Sequence, residues 1–242
     1  MPMTSAPTQS PALARPSARA SARDWADTRL LIHETYLSVQ GESTFVGVPC
    51  VFIRLTGCPL RCVWCDTEHA FTGGQRMAAG AVVEEALAYQ VPLIEVTGGE
   101  PLAQPGCIDL LHGLVAKGAK VLLETSGAFP IEEVPQEVHV IMDLKCPDSG
   151  EMDRNLPGNI DWLRPTDEVK FVIASRRDFD WAAAQVRLHG LDQRVGAILF
   201  SPVFGSCIPR DLVAWMLEDR TPGVRMQIQA HKVIWPPDTR GV

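Results

Sequence analysis

Three cysteines crowd into Gly57-Cys58-Pro59-Leu60-Arg61-Cys62-Val63-Trp64-Cys65-Asp66, separated by three residues and then by two. Thiolates at that spacing, on a loop directly after a strand-like run, can fold around an iron–sulfur cubane. Each holds one iron, and the fourth iron is left open. An open iron is a chemical site, not just a staple. The competing reading is a structural zinc with four ligands, His69 serving as the fourth; the missing fourth cysteine and the strand just upstream count against it. Cys50, Cys107, Cys146 and Cys207 stand apart and read as packing residues. Seven cysteines form an odd set, a poor disulfide framework, and this favours a reducing compartment.

The elements that must position this loop are legible as alternating patterns. Short apolar runs at 30–37, 50–55, 93–97, 120–124, 138–143, 169–174, 195–200 and 224–229 predict strands. Amphipathic stretches at 81–90, 107–117, 180–189 and 209–219 predict helices between several of them. The alternation predicts an α/β fold with a parallel sheet, closed or partly closed, and helices outside. Side chains alternate between faces along a strand. Ile53, Leu55, Ile94, Val96, Val121, Leu123, Phe171 and Ile173 therefore fall on one face. Arg54, Glu95, Thr97, Glu124 and Lys170 fall on the other, as do Gln227, Gln229 and His231 at the last strand. Charge is costly to bury unpaired, so an inner face of this kind should hold polar ligands or ion pairs.

The cysteine spacing, with an aromatic before the last cysteine, resembles the radical S-adenosylmethionine superfamily. Thr97-Gly98-Gly99-Glu100-Pro101 after the next strand strengthens the resemblance. Glycines let backbone approach a ligand closely, and a carboxylate can accept from an ammonium. Within the superfamily, the chain resembles the 7-carboxy-7-deazaguanine synthase family. The resemblance rests on Val39-Gln40-Gly41-Glu42-Ser43, Gly47-Val48-Pro49-Cys50-Val51-Phe52-Ile53-Arg54-Leu55, Cys65-Asp66-Thr67, Leu123-Glu124-Thr125-Ser126-Gly127 and Gln227-Ile228-Gln229-Ala230-His231-Lys232. It runs in register from about residue 31 to the C-terminus.

The resemblance implies a partial (β/α) barrel carrying a four-iron four-sulfur cluster on Cys58, Cys62 and Cys65, with S-adenosylmethionine chelating its open iron. It further implies conversion of 6-carboxy-5,6,7,8-tetrahydropterin to 7-carboxy-7-deazaguanine with loss of ammonia, a step toward queuosine and related deazapurines. A 5′-deoxyadenosyl radical would take a hydrogen from C6 of the pterin before the ring contracts. By position, Val39, Gln40, Gly41, Glu42, Arg54, Thr97 and His231 match the family's pterin contacts. Trp64, Cys65, Asp66, Gly99, Glu100 and Glu124 are expected at the cosubstrate, and Thr67 at a Mg2+ beside the substrate. Arg54 suits the substrate carboxylate, since a guanidinium fork pairs two oxygens at once. A homodimer and a separate one-electron donor are also implied. The chain departs from some members at Asp143-Leu144-Lys145 and at Ser201-Pro202-Val203-Phe204, and 235–242 runs beyond where short members stop.

Composition bounds the remaining classes. The chain has 242 residues, enough for one well-buried domain, and 46% are apolar while 21% are charged. No long uncharged apolar run spans a membrane. A net charge of −7 without a dense basic block argues against nucleic acid and for a small-molecule substrate. Residues 1–27, rich in Ala, Ser, Pro and Arg and lacking a secretory apolar segment, are expected to be a disordered extension, with the catalytic domain spanning 28–242. The location expected is the cytoplasm. The rivals are an activase acting on a partner protein's glycine, which would not need Gln40-Gly41-Glu42 and Arg54, and a zinc-stabilised binding module.

Overall fold

A computed structural model describes residues 12–18, 24–237 and 239–242. Among them, nine strands form one sheet in the order β3-β1-β2-β4-β5-β6-β7-β8-β9. In chain order these are β1 (Arg29–Val39), β2 (Pro49–Leu55), β3 (Gln75–Ala78), β4 (Leu93–Gly98), β5 (Lys120–Thr125), β6 (His139–Asp143), β7 (Glu168–Ile173), β8 (Ala197–Pro202) and β9 (Val224–Met226). From β2 through β4 to β9 every neighbouring pair is parallel. The sheet does not close, as a partial barrel requires. The expected parallel sheet carries one antiparallel addition at its edge: β1 lies antiparallel to both β2 and β3. The link between β1 and β2 is short, and short links join antiparallel strands, whereas parallel ones need a longer crossover.

Helices cover the outer face. They are α1 (Ala79–Leu87), α2 (Cys107–Ala116), α3 (Arg176–His189), the single turn α4 (Leu191–Arg194), α5 (Pro209–Asp219) and the single turn α6 (His231–Ile234). Three of them bury the same i, i+3, i+4, i+7 stripe: Ala79, Val82, Val83 and Ala86; Cys107, Leu110, Leu111 and Leu114; Phe179, Ala182, Ala183 and Val186. These stripes meet Ile53, Leu55, Ile94, Val96, Val121, Leu123, Phe171 and Ile173, the predicted apolar face, in one continuous core. Helix α3 starts four residues earlier than its apolar period suggests. The reason is a cap: Ser175 Oγ accepts from Asp178 N at 3.3 Å, and Asp178 sits favourably in the first turn. Its end is set by Gly190, whose φ of 56° suits a residue without Cβ.

The inner face is layered rather than uniformly charged. Near the starts of the strands, Cys50, Phe52, Leu93, Leu122 and Ile141 form a second apolar cluster, with Tyr36 and Phe45 against it. Polar residues follow one strand pair further along: register sets Arg54 beside Thr97 and Asp143 beside Lys170. The loop between β1 and β2 folds across this face. Gln40 reaches Glu95 on β4, Glu42 reaches Lys170 on β7, and Thr44 N donates to Glu168 at 3.1 Å. Strand β9 stops at Met226, short of the predicted 229, because the chain leaves the sheet to bond with that loop: Ala230 N donates to Gly41 O at 2.8 Å.

Residues 1–11 and 19–23 of the expected extension lie outside the described residues. Residues 12–18 depart from the expectation, since they lie on the fold as a strap. Leu13 N donates to Asp161 O at 2.7 Å, Gln136 N donates to Pro16 O at 2.7 Å, and Ala18 N donates to Glu137 at 2.9 Å. At its centre Arg15 pairs with Asp167 at 3.1 Å, both side chains fully buried, and donates to Val138 O at 3.1 Å. One arginine among several in an Ala/Ser/Pro/Arg-rich stretch carries no periodic signal, so its partner could be found only in three dimensions. Arg15→Ala should lower stability by about 1–3 kcal/mol, less than the full loss of a buried pair because Arg164 stays on Asp167 at 3.2 Å. Chemical denaturation of wild type and variant would read this, and coincident midpoints would show that the strap contributes nothing.

Candidate active site

The cysteine loop leaves the end of β2 at one wall of a cavity of ≈ 280 Å³. Gly57, at φ 100°, makes the turn that any side chain would strain. Its amide donates to Ala70 O at 2.8 Å, and its carbonyl accepts from Glu100 N at 2.9 Å, so the loops after β2 and β4 are sewn together. The approach is close: a Cβ on Gly99 would lie 2.5 Å from Cys58 Cβ and 2.7 Å from Gly57 O. Further along, Arg61 N donates to Glu151 at 2.6 Å and Val63 N to Ser149 O at 3.0 Å. Cys58, Cys62 and Cys65 all line the cavity as free, partly buried thiols.

This donor set fits a cubane. Each of the three free thiols reaches the wall of the same cavity from its own position on the loop. A cubane asks for three separated sulfurs, each on its own iron, whereas zinc asks for one tight tetrahedron. His69, the fourth ligand of the zinc alternative, instead lies 3.7 Å from Glu34 and edge-on to His33. Burial pushes all three thiols up, Cys62 to about 11 with Lys145 opposing the rise. Any metal held by these thiols would have to displace their protons.

Much of the remaining wall is built of ion pairs. Lys170 is surrounded by Glu42 at 2.9 Å, Glu124 in closer contact and Asp143 at 3.8 Å. Burial would lower this ammonium, but the carboxylates of Glu124, Glu42 and Asp143 hold it well above the usual lysine range. Glu42 also accepts from Gln229 Nε2 at 3.0 Å. Burial works against its ionised form, and Lys170, Gln229 and His231 outweigh it and keep the carboxyl low. Lys145 pairs with Asp143 at 2.9 Å. Arg54 is held by Glu34 through Nε at 2.8 Å and by Tyr36 through an Nη at 3.0 Å. Asp66 pairs with Lys232 at 2.6 Å and accepts from Thr67 Oγ1 at 3.0 Å. These contacts override its burial and hold Asp66 well below the carboxylate range.

The structure gathers most of the predicted site residues on one cavity. Val39, Gln40, Gly41, Glu42, Arg54, Thr97 and His231 line it, as do Trp64, Cys65, Asp66, Thr67, Gly99 and Glu124. Gly41 lies so near His231 that a Cβ would meet Nδ1 at 2.4 Å. Glu100 is the exception and a correction. Its fully buried carboxylate is turned away from the cavity and is saturated from within: it accepts from Leu102 N at 2.9 Å, Thr125 Oγ1 at 2.9 Å, Ser126 N at 2.7 Å and Ser126 Oγ at 2.5 Å. Those donors tie the loop after β4 to the loop after β5 and leave nothing for a ligand's ammonium. Sequence reasoning also missed contributors. Glu34 and Tyr36 reach the cavity from antiparallel β1, and alternation along 30–37 would have flagged them. Asp143, Lys145, Val203 and Phe204, in the two departing loops, line it too, as do Lys232 and the tail residues Thr239 to Val242. No local pattern marks those.

Comparison with known proteins bears on the same region. A model of the radical SAM superfamily matches residues 52–143. The chain is 45% identical over 225 residues to the 7-carboxy-7-deazaguanine synthase of Koribacter versatilis, covering 87% of this chain and 99% of that one. It is 45% identical over 216 residues to the 7-carboxy-7-deazaguanine synthase of Chlorobaculum tepidum, covering 88% and 97%. In fold it resembles the crystal structure of QueE from Escherichia coli, with a TM-score of 0.68 at 23% identity, over 84% of this chain and 95% of that one.

The close approach at Gly99 generates a prediction. Gly99→Ala should push the cysteine loop off the cavity wall and lower bound iron per chain to less than about half, with the fold retained. Iron and sulfide analysis after anaerobic reconstitution, beside circular dichroism, would test this; full iron loading in the variant would show that the loop yields freely.

Proposed function

The chain belongs to the 7-carboxy-7-deazaguanine synthase family of radical S-adenosylmethionine enzymes, and from that premise we propose how its cavity divides the work. Family membership brings the four-iron four-sulfur cluster, S-adenosylmethionine and a step in 7-deazapurine synthesis. We place the cluster on Cys58, Cys62 and Cys65, S-adenosylmethionine against Trp64, Asp66, Gly99 and Glu124, and 6-carboxy-5,6,7,8-tetrahydropterin among Val39, Gln40, Gly41, Glu42, Arg54, Thr97 and His231. The observation that supports this division is that cysteine thiols and an inner face of paired charges share one cavity.

With the cluster in place, the chemistry supplied is one-electron cleavage of S-adenosylmethionine and hydrogen abstraction from C6 of the pterin. The protein's share is binding, orientation and exclusion of water. Arg54, anchored by Glu34 and Tyr36, keeps unpaired guanidinium N–H donors for the substrate carboxylate. His231 and Gln229, carried by the chain after β9, are held onto the loop after β1 by the Ala230–Gly41 bond, so one side of the pterin site is built from sequence extremes. Glu100 acts through the backbone, fixing Gly99 against Cys58.

Magnesium belongs to the same proposal. Thr67 Oγ1, beside an Asp66 carboxylate oxygen at the cavity wall, offers the hard oxygen donors that Mg2+ prefers, with waters and substrate oxygens filling its octahedron. We further propose a cytoplasmic homodimer served by a separate one-electron donor. Among the described residues no helix is long and apolar enough to cross a membrane.

Two experiments test these assignments. Reconstituted wild type should cleave S-adenosylmethionine and convert the tetrahydropterin to 7-carboxy-7-deazaguanine. Cys58→Ala, Cys62→Ala and Cys65→Ala should each abolish cleavage, while Cys107→Ala and Cys207→Ala keep it; wild-type turnover by Cys62→Ala would sink the cluster assignment. Separately, Mg2+ titrated into steady-state assays should stimulate the wild type clearly and Thr67→Val weakly, at equal cluster content. Equal stimulation of both proteins would show the ion is held elsewhere.

A further inference from the structure

Six carboxylates line the cavity: Glu34, Glu42, Asp66, Glu95, Glu124 and Asp143. Among the described residues, five of them have a basic partner within ion-pair distance: Glu34 has Arg54, Glu42 and Glu124 share Lys170, Asp66 has Lys232, and Asp143 has Lys145. Glu95 has none. It lies on the inner face of β4, 1% exposed, in register between the apolar Phe52 and Leu122. One oxygen accepts from Gln40 Nε2, and the direction of that amide is set, because Gln40 Oε1 accepts from Glu42 N at 2.6 Å. Its other oxygen receives no donor from the described residues. Burial and the charge of Glu124 push the Glu95 carboxyl well above its ordinary range.

A buried carboxyl with one neutral donor and an open oxygen is costly, and such groups collect where a ligand completes them. What would complete Glu95 is a pair of N–H donors. The position narrows this further. Arg54 on β2 stands on the same face, diagonal to Glu95 by two residues, which in a sheet is about 7–8 Å between backbones. A guanidinium and a carboxyl rooted on adjacent strands of one face, with their heads turned to different partners, suit a flat ligand with an anion at one end and N–H donors at the other.

Resting on the function proposed above, we infer that Glu95 is the specificity-determining residue that accepts the donor edge of the substrate, the ring N–H and the neighbouring exocyclic amino group of the aminopyrimidinone ring. Gln40 is its positioning residue: it holds the Glu95 carboxyl toward the cavity while its own carbonyl orders the backbone at Glu42.

The test uses reconstituted holoenzyme with S-adenosylmethionine and two substrates, the carboxytetrahydropterin and its 2-oxo analogue, in which oxygen replaces the exocyclic amino group. Wild type should prefer the pterin by about 10- to 100-fold in kcat/KM, the worth of a hydrogen bond to a buried charged group. Glu95→Gln should raise KM for the pterin by a similar factor and shrink the preference to about threefold or less, at unchanged iron content and thermal midpoint. If Glu95→Gln loses its cluster, Glu95→Asp decides, since it keeps the acid and withdraws it by one methylene; its KM should still rise about tenfold. Equal use of the two substrates by the wild type, or a variant with wild-type KM and preference, would overturn the inference. A wild type that cleaves S-adenosylmethionine but converts no pterin would instead overturn the functional reading beneath it.

Discussion

An ammonium withdrawn from water must be met by carboxylates, and at Lys170 that demand fixes the relative positions of four segments. Glu42 comes from the loop after β1, Glu124 from β5, Asp143 from β6, and Lys170 itself from β7. Each carboxylate restrains a different part of the cavity wall. Removing any one would leave a charge without its counterpart in a place where water cannot replace it, which usually costs more than the pair was worth. Lys145, paired with Asp143 and electrostatically felt by Cys62, extends the same network to the cysteine loop. The wall of paired charges and the cysteine loop are thus electrostatically one object.

The cysteine loop depends on a second constraint, which is steric. Two backbone turns approach so closely that only hydrogen fits at Gly99, and the saturated carboxylate of Glu100 holds them there. Four donors converge on that side chain, which is why it can stay buried away from both solvent and cavity. The loop is therefore pre-placed by protein contacts, with its three thiols facing the cavity.

How much of this was legible beforehand depends on whether the signal is local. The eight apolar runs became strands because β-branched residues at period two identify both the element and its faces; Arg54, Glu95, Glu124 and Lys170 landed on the inner face as alternation requires. Helix α5 begins and ends where Pro209 and Asp219 mark it. Strand β3 escaped notice since Gln75-Arg76-Met77-Ala78 has little β preference, and its pairing is imposed by the free edge of β1. The apolar half of the lumen was hidden for another reason: alternation sorts residues by face and says nothing of depth along the barrel. Glu100 shows the limit of reading a role from a motif, because a carboxylate beside two glycines can serve the ligand or the loop, and only its donors tell which. The cavity residues contributed by 239–242 carry no periodicity at all.

The strap that carries Arg15 has a consequence for how the chain is born. Its partner Asp167 lies 152 positions downstream, and its other anchors fall at 136–138 and 161. The strap therefore has nothing to hold until anchors 119 to 152 positions further along have left the ribosome, and closing so long a loop is entropically slow. During vectorial synthesis the inner strands must assemble with that flank of β6 and β7 uncovered, and the strap docks only as a late latch.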